Sequence, residues 1–325
     1  MENFKDLLLA KNPNYSAKTI ETYSTTWKQM KALFTRENDT IEFLYNTKEV
    51  VDKLADKYKS LNTLKTKLAV CVAIMRLIDE EKAMPYIEAY NAEIDKCSIE
   101  LSKMKSTHEK TEKMEKGWIT KEEEEQIETH LFSLLNKGYK CSCNVDLVNL
   151  RNYVIFKLQN HISGRNELAH SLIVYHNPFS KLKKKVELVK DHNYICLSQR
   201  DKKVYYIMNV YKTAKTYGQK IIDLGTEYYE LLKEYKYALM RIAPNQNVFN
   251  YMFYDNNCKT LLCANRYGVV YSSLGDVIGK KLSTTTQRHI KASSVGLSAD
   301  QIETIKANAS KMAHSLETHL EYAVV

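Results

Sequence analysis

No stretch of this 325-residue chain approaches the roughly 18 consecutive apolar residues of a membrane-spanning helix, so no membrane partner is expected. The opening residues Met1-Glu2-Asn3-Phe4-Lys5-Asp6 lack the charge pattern of a secretory signal. An intracellular protein is therefore expected, in the cytoplasm or nucleus of a host cell or in a virion. There is no glycine-rich phosphate loop and no dinucleotide fingerprint, which removes the usual grounds for nucleotide binding. The seven cysteines are odd in number and scattered, arguing against a disulfide framework and for a reducing compartment. Cys141 and Cys143 form a close pair, but no second Cys/His pair follows at ligand spacing. Cys258 and Cys263 likewise have no histidine beside them, so neither a metal nor any other cofactor is expected. Internal repeats and low-complexity tracts are missing too. Any chemistry must come from side chains.

What is present is a surplus of positive charge, 48 Lys and Arg against 39 Asp and Glu, for a formal net of +9 and a pI near 8.9. A polyanion is the simplest partner for such a balance, because each phosphate neutralised on nucleic acid releases condensed counterions. The length exceeds what one compact core usually organises, and 44% hydrophobic residues suffice for two.

Along the chain, Ser16 is placed to cap a helix whose Ile20, Tyr23, Trp27, Met30 and Phe34 recur at three- and four-residue steps. Further helices follow through Val50, Val51, Leu54 and Tyr58, through Leu64, Leu68, Cys71, Met75 and Ile78, and from Pro85 to Lys103. From Lys103 to Gly117 the aliphatics give way to alternating charge, which predicts an exposed linker or a fraying helix end. The expected division is a helical domain over 1–104, a charged linker over 105–118 and a second domain over 119–325. In the second, Thr120 precedes the acidic turn Glu122 to Glu125 as a cap should. A helix through Val148, Leu150, Val154, Ile155 and Leu158 breaks at Ser163-Gly164. Strands are expected over Tyr194–Ser198, Lys203–Tyr211 and Lys220–Leu224, with Ala214-Lys215-Thr216-Tyr217-Gly218 as the turn between the last two. Helices then run from Thr226 to Met240 and, with interruptions, to Lys281. Another begins at Ser283 and ends by Gly296, and the stripe Ile302, Ile305, Ala309, Met312 marks the next. The fold class predicted is mainly α with a small β-sheet.

Several residues carry possible chemistry. Arg165, at the mouth of a helix-to-strand turn, is placed to grip a phosphate by two hydrogen bonds, although a surface ion pair with Glu167 would suit it as well. Lys181 to Lys185 form a basic cluster for phosphate or solvent. Near the end of the chain, His314 and Tyr322 set an imidazole close to a phenol. The first can move a proton near neutral pH and the second can be a nucleophile if cations stabilise its charge.

In order, Gly164-Arg165-Asn166-Glu167-Leu168, Lys215 in its β-turn, Arg288-His289, Ala313-His314-Ser315 and Tyr322 resemble the catalytic domain of tyrosine recombinases, the phage and viral integrases and Xer-type enzymes. The segment Tyr15 to Tyr23 is similar to the first helix of that family's helical core-binding domain. The resemblance implies a helical DNA-clamping domain followed by an α+β catalytic domain, acting as a tetramer on two double-stranded DNA duplexes. It implies that Tyr322 attacks a phosphodiester to form a 3′-phosphotyrosine, with Arg165, Arg288 and His314 around the phosphate and Lys215 as acid for the leaving 5′ oxygen. No metal is required by that chemistry. Four departures stand out. Thr285 occupies the place of the family's usual histidine, and Leu168 stands where an acidic residue is common. The interval from His314 to Tyr322 is one residue short, and Lys212 competes with Lys215. Eight residues of helix would separate His314 and Tyr322 by roughly 12 Å, so the two would flank the phosphate rather than bond to each other. A type IB topoisomerase-like enzyme, or a protein of the same fold that binds DNA without cleaving it, is the alternative.

Overall fold

The computed structural model describes residues 4–34, 41–78, 80–106, 109–179, 188–242, 250–294 and 299–312. The chain divides into two compact units, Met1–Thr107 and His108–Val325. Among the described residues it is mainly helical with one small sheet, as the hydrophobic periodicity predicts. No helix among them is long and apolar enough to cross a membrane.

Among the described residues the first unit is helical: α1 (Phe4–Lys11), α2 (Ala17–Phe34), α3 (Thr47–Lys57), α4 (Leu61–Ile78) and α5 (Glu80–Ser106). The Ser16 hydroxyl accepts the Thr19 amide at 3.1 Å, and Asn46 caps α3 in the same manner by accepting from Glu49. The stripes meet in one core of Trp27, Met30, Leu54, Leu68, Cys71, Met75 and Ile87, into which α1 adds Phe4 and Leu8. Each large side chain sealed there contributes about 1.5–3 kcal/mol. Tyr90 lies fully buried, and its hydroxyl donates to the Leu44 carbonyl at 2.9 Å, so its polar tip is satisfied. α5 starts before Pro85 rather than at it. Proline at that point removes one amide from the ladder, while buried Ala83 and Ile87 on either side anchor the turn around it.

In the second unit the charged stretch after α5 includes a short helix, α6 (Glu112–Gly117), capped by Thr111. α7 (Lys121–Ser133) opens with a full capping box between Thr120 and Glu123. α8 (Asn144–Ile162) crosses the middle of the core and stops at Ser163, whose φ of 49° ends the helical ladder. β1 (Ser171–Tyr175), β2 (Asn193–Ser198), β3 (Lys203–Met208), β4 (Lys220–Gly225) and β5 (Asn250–Tyr251) form a sheet in the order β4-β3-β2-β1-β5. β1 and β2 are parallel and the other neighbours antiparallel. All six residues of β2 are buried, which suits the apolar run Tyr194–Leu197 at its centre. Ile195 and Leu197 join the main helical core, while Tyr194 and Cys196 form a smaller cluster with Leu172, Val174, Tyr205 and Ile207.

The turn between β3 and β4 closes as a helical turn, α9 (Ala214–Tyr217). α10 (Tyr229–Ile242), α11 (Ala264–Ser273), α12 (Thr284–Ser293) and α13 (Ala299–Lys311) follow. The expectation of interrupted helices up to Lys281 needs correction, since β5 and a bridge between Tyr254 and Leu261 lie there. β5 exists because Leu172 and Ile173 of β1 offer it an edge, and two residues carry no period of their own.

α10 brings a cation under the sheet. Lys236 is 4% exposed, donates to the Ile173 carbonyl at 3.1 Å and lies over the Tyr175 ring. Burial disfavours its charged form and lowers its pKa to about 8. The folded chain therefore releases this proton at lower pH than the unfolded chain does, so its contribution makes stability rise from pH about 8 towards the ordinary lysine value of 10.5. Denaturant unfolding as a function of pH should show that rise in the wild type, and Lys236→Met should flatten it.

Candidate active site

The end of α8 is fixed by a buried amide. Gln159, 1% exposed, donates from Nε2 to the Gly164 carbonyl at 2.8 Å and accepts the Tyr267 hydroxyl at 3.2 Å through Oε1. One turn away, Tyr271 donates to Asn160 Oδ1 at 2.8 Å, and Asn160 Nδ2 donates to Glu124 at 2.9 Å. The peptide entering Arg165 is thus held by both α8 and α11. Arg165 has extended backbone and precedes a 3-10 helix over Asn166–His170, which buried Leu168 and Ala169 pin into the core. Its side chain is half-buried, and among the described residues its guanidinium has no hydrogen-bond or ion-pair partner. The ion pair with Glu167 is not formed.

Arg288 is 6% exposed on α12 and donates from Nη2 to the Thr285 hydroxyl at 3.3 Å. Thr285 thus supplies an acceptor at the position where the resemblance called for histidine. Ser283 caps α12 by accepting the amides of Thr285 and Thr286. The loop before it is held from below: Lys280 Nζ donates to the Trp118 carbonyl at 2.8 Å and to Glu123 at 2.7 Å. Gly117 lies so close that a Cβ there would come within 2.9 Å of the Lys281 carbonyl.

The two arginine segments meet through Asn166. Its Oδ1 accepts the Thr284 hydroxyl at 3.0 Å, across 118 residues of sequence, and its Nδ2 donates to the Ala264 carbonyl at 3.0 Å. A groove of about 860 Å³ runs past Asn166, Gly268, Ser283, Thr284 and Thr285, with Lys113 and Lys281 on its walls.

Lys212 and Lys215 flank the β3–β4 connection, which Tyr211 anchors by donating its hydroxyl to the Gly218 carbonyl at 2.7 Å. Both lysines are exposed and have no partner among the described residues. They differ in surroundings. Lys212 lines a recess of about 530 Å³ with Glu167, His170, His192 and Asn193, whereas Lys215 does not. Asn193 ties this connection back, accepting the amides of Asn209 and Val210 at 2.8 Å each.

His314, Ser315 and Tyr322 lie outside the described residues, as do Lys181 to Lys185. The approach to His314 and Tyr322 is described: α13 buries Ile305, Ala309 and Met312, and Lys220 of β4 donates to the Ser310 carbonyl at 2.8 Å. Sequence reasoning singled out neither Lys220 nor Asn166. Lys220 is one of 48 basic residues, and nothing near Asn166 in sequence announces Thr284.

Lys280→Met removes two satisfied contacts of a partly buried ammonium and should cost about 1–2 kcal/mol in urea unfolding. The same change at Lys281, whose side chain is 72% exposed, should leave the midpoint where it is.

No protein-family profile matches the chain, and no curated protein does. Among solved structures it is similar to one described as the crystal structure of XerA recombinase, at 14% sequence identity, over 99% of this chain and 93% of that one. The TM-score is 0.42, a likeness of general layout that assigns no residue a role.

Proposed function

We propose that this chain is a site-specific DNA recombinase that cleaves and rejoins duplex DNA through a phosphotyrosine. The observation that carries the reading is the Asn166–Thr284 hydrogen bond, which joins the turn of Arg165 to the helix of Arg288. That bond supports reading two cations that share no local sequence as parts of one site, near a groove lined by Asn166 and Thr284 and a recess shared by Glu167 and Lys212. That is the arrangement a phosphodiester requires.

In the proposed reaction Tyr322 Oη attacks phosphorus, the bond from phosphorus to the 5′ oxygen breaks, and that oxygen leaves with a proton as a 5′-hydroxyl. Negative charge grows on the nonbridging oxygens during attack. Arg165 and Arg288 stabilise it more in the transition state than in the ground state, because a guanidinium keeps its proton and presents two donors in a plane. His314 adds a further hydrogen bond. Lys215 is the acid on the sequence pattern, and Lys212 is its competitor on surroundings, since it shares a recess with the segment following Arg165. Thr285 cannot act as a general base near neutral pH, and its hydroxyl orients Arg288 instead. The phosphotyrosine conserves the bond energy for joining to a second strand. The helical domain over 1–104 and the catalytic domain over 119–325 grip duplex DNA together, as a tetramer on two duplexes.

The test uses a pool of nicked duplexes with randomised centres, incubated with the full chain and resolved on a denaturing gel. A protein–DNA adduct is expected from the wild type and none from Tyr322→Phe, with phosphate on Tyr322 by mass spectrometry. Arg288→Lys should slow adduct formation by about 10²-fold while DNA is still retained in a filter-binding assay. An adduct that survives Tyr322→Phe overturns the assignment. Retention of DNA without any wild-type adduct would leave a binding protein, and relaxation of supercoils without joining of two duplexes would favour a topoisomerase.

A further inference from the structure

We infer that Asn166 is a positioning residue for DNA cleavage, setting the guanidinium of Arg165 against that of Arg288; this rests on the function proposed above. Asn166 is the residue next to Arg165, and one side-chain amide satisfies two elements at once. Its Oδ1 accepts from Thr284 in the first turn of α12, the helix of Arg288, and its Nδ2 donates to the Ala264 carbonyl at the start of α11, both at 3.0 Å. Gly268 on α11 leaves room for it, since a Cβ there would stand 3.0 Å from Asn166 Nδ2. The Arg165 guanidinium itself has no hydrogen-bond or ion-pair partner among the described residues to fix it. Aspartate would lose the donor to Ala264, and serine would not reach both elements. Asparagine has the donor and the acceptor at the needed separation.

The consequence is specific to charge. A shift of one arginine weakens stabilisation of the negative transition state and leaves duplex binding, which is spread over many phosphates, little altered. A substrate with an uncharged methylphosphonate at the cut position has less need of that stabilisation.

The experiment measures single-turnover adduct formation at saturating protein on a duplex recovered from the randomised pool, as a phosphodiester and as a methylphosphonate, with affinity measured separately. Asn166→Ala should cleave the phosphodiester about 10- to 100-fold slower than wild type, with affinity held within about threefold. On the methylphosphonate the gap should shrink by about tenfold. Thr284→Val should be slowed in the same direction and Thr284→Ser should recover most of the rate. Because the two residues share one bond, the double variant Asn166→Ala/Thr284→Val should be no slower than Asn166→Ala. Should Asn166→Ala fold poorly, the Val and Ser pair at Thr284 carries the same comparison. Cleavage by Asn166→Ala close to the wild-type rate, or a deficit equal on both substrates, overturns the positioning role while leaving the proposed function intact. Failure of the wild type to form an adduct removes both.

Discussion

The second unit depends on one buried amide. Gln159 is sealed inside α8, yet it reaches forward to the carbonyl of Gly164 and sideways to the hydroxyl of Tyr267. Losing it would orphan a carbonyl and a buried phenol together, each at a cost of about 1–3 kcal/mol. The residue therefore does two things with the same atoms. It stops α8 where Ser163 turns left-handed, and it orients the peptide that enters Arg165 against α11. From that fixed peptide the Asn166 link runs to α12, and the Asn160–Glu124 bond runs back to α7.

Charge is the second constraint. Arg288 is buried and donates to the hydroxyl of Thr285, while Arg165 has no hydrogen-bond or ion-pair partner among the described residues. A carboxylate paired with Arg165 would compete with an anionic ligand for its two parallel donors. Under the proposed function that attraction is kept for the phosphate. The loop leading to α12 shows the opposite choice, with Lys280 closed against Glu123 and the Trp118 carbonyl.

How much of this could be seen in the sequence depended on range. Ile20, Trp27 and Met30 recur with the helical period, and β2 is a run of buried residues, so both elements could be placed without coordinates. The arginines could be picked out by their order along the chain. Asn166 could not, since its partner is 118 residues away and a single polar residue has no period. The same limit hid β5, which is defined by pairing with β1, and the early start of α5, where tertiary burial of Ala83 outweighed the proline signal.

The site is therefore assembled from ends of elements rather than from any one element. Arg165 follows a helix stop, Arg288 rides the first turns of α12, and Lys212 stands where β3 gives way to α9. Helix and strand ends carry backbone groups without partners in their own ladders, so side chains such as Ser283, Gln159 and Asn193 must serve them. Those polar side chains cross from one element to another and fix where the cations stand. Lys220 extends the pattern to the end of α13, donating to the Ser310 carbonyl four residues before His314. A cation there also suits the negative end of the helix dipole, so the last described turn is held by the same edge strand that follows the lysine-bearing connection.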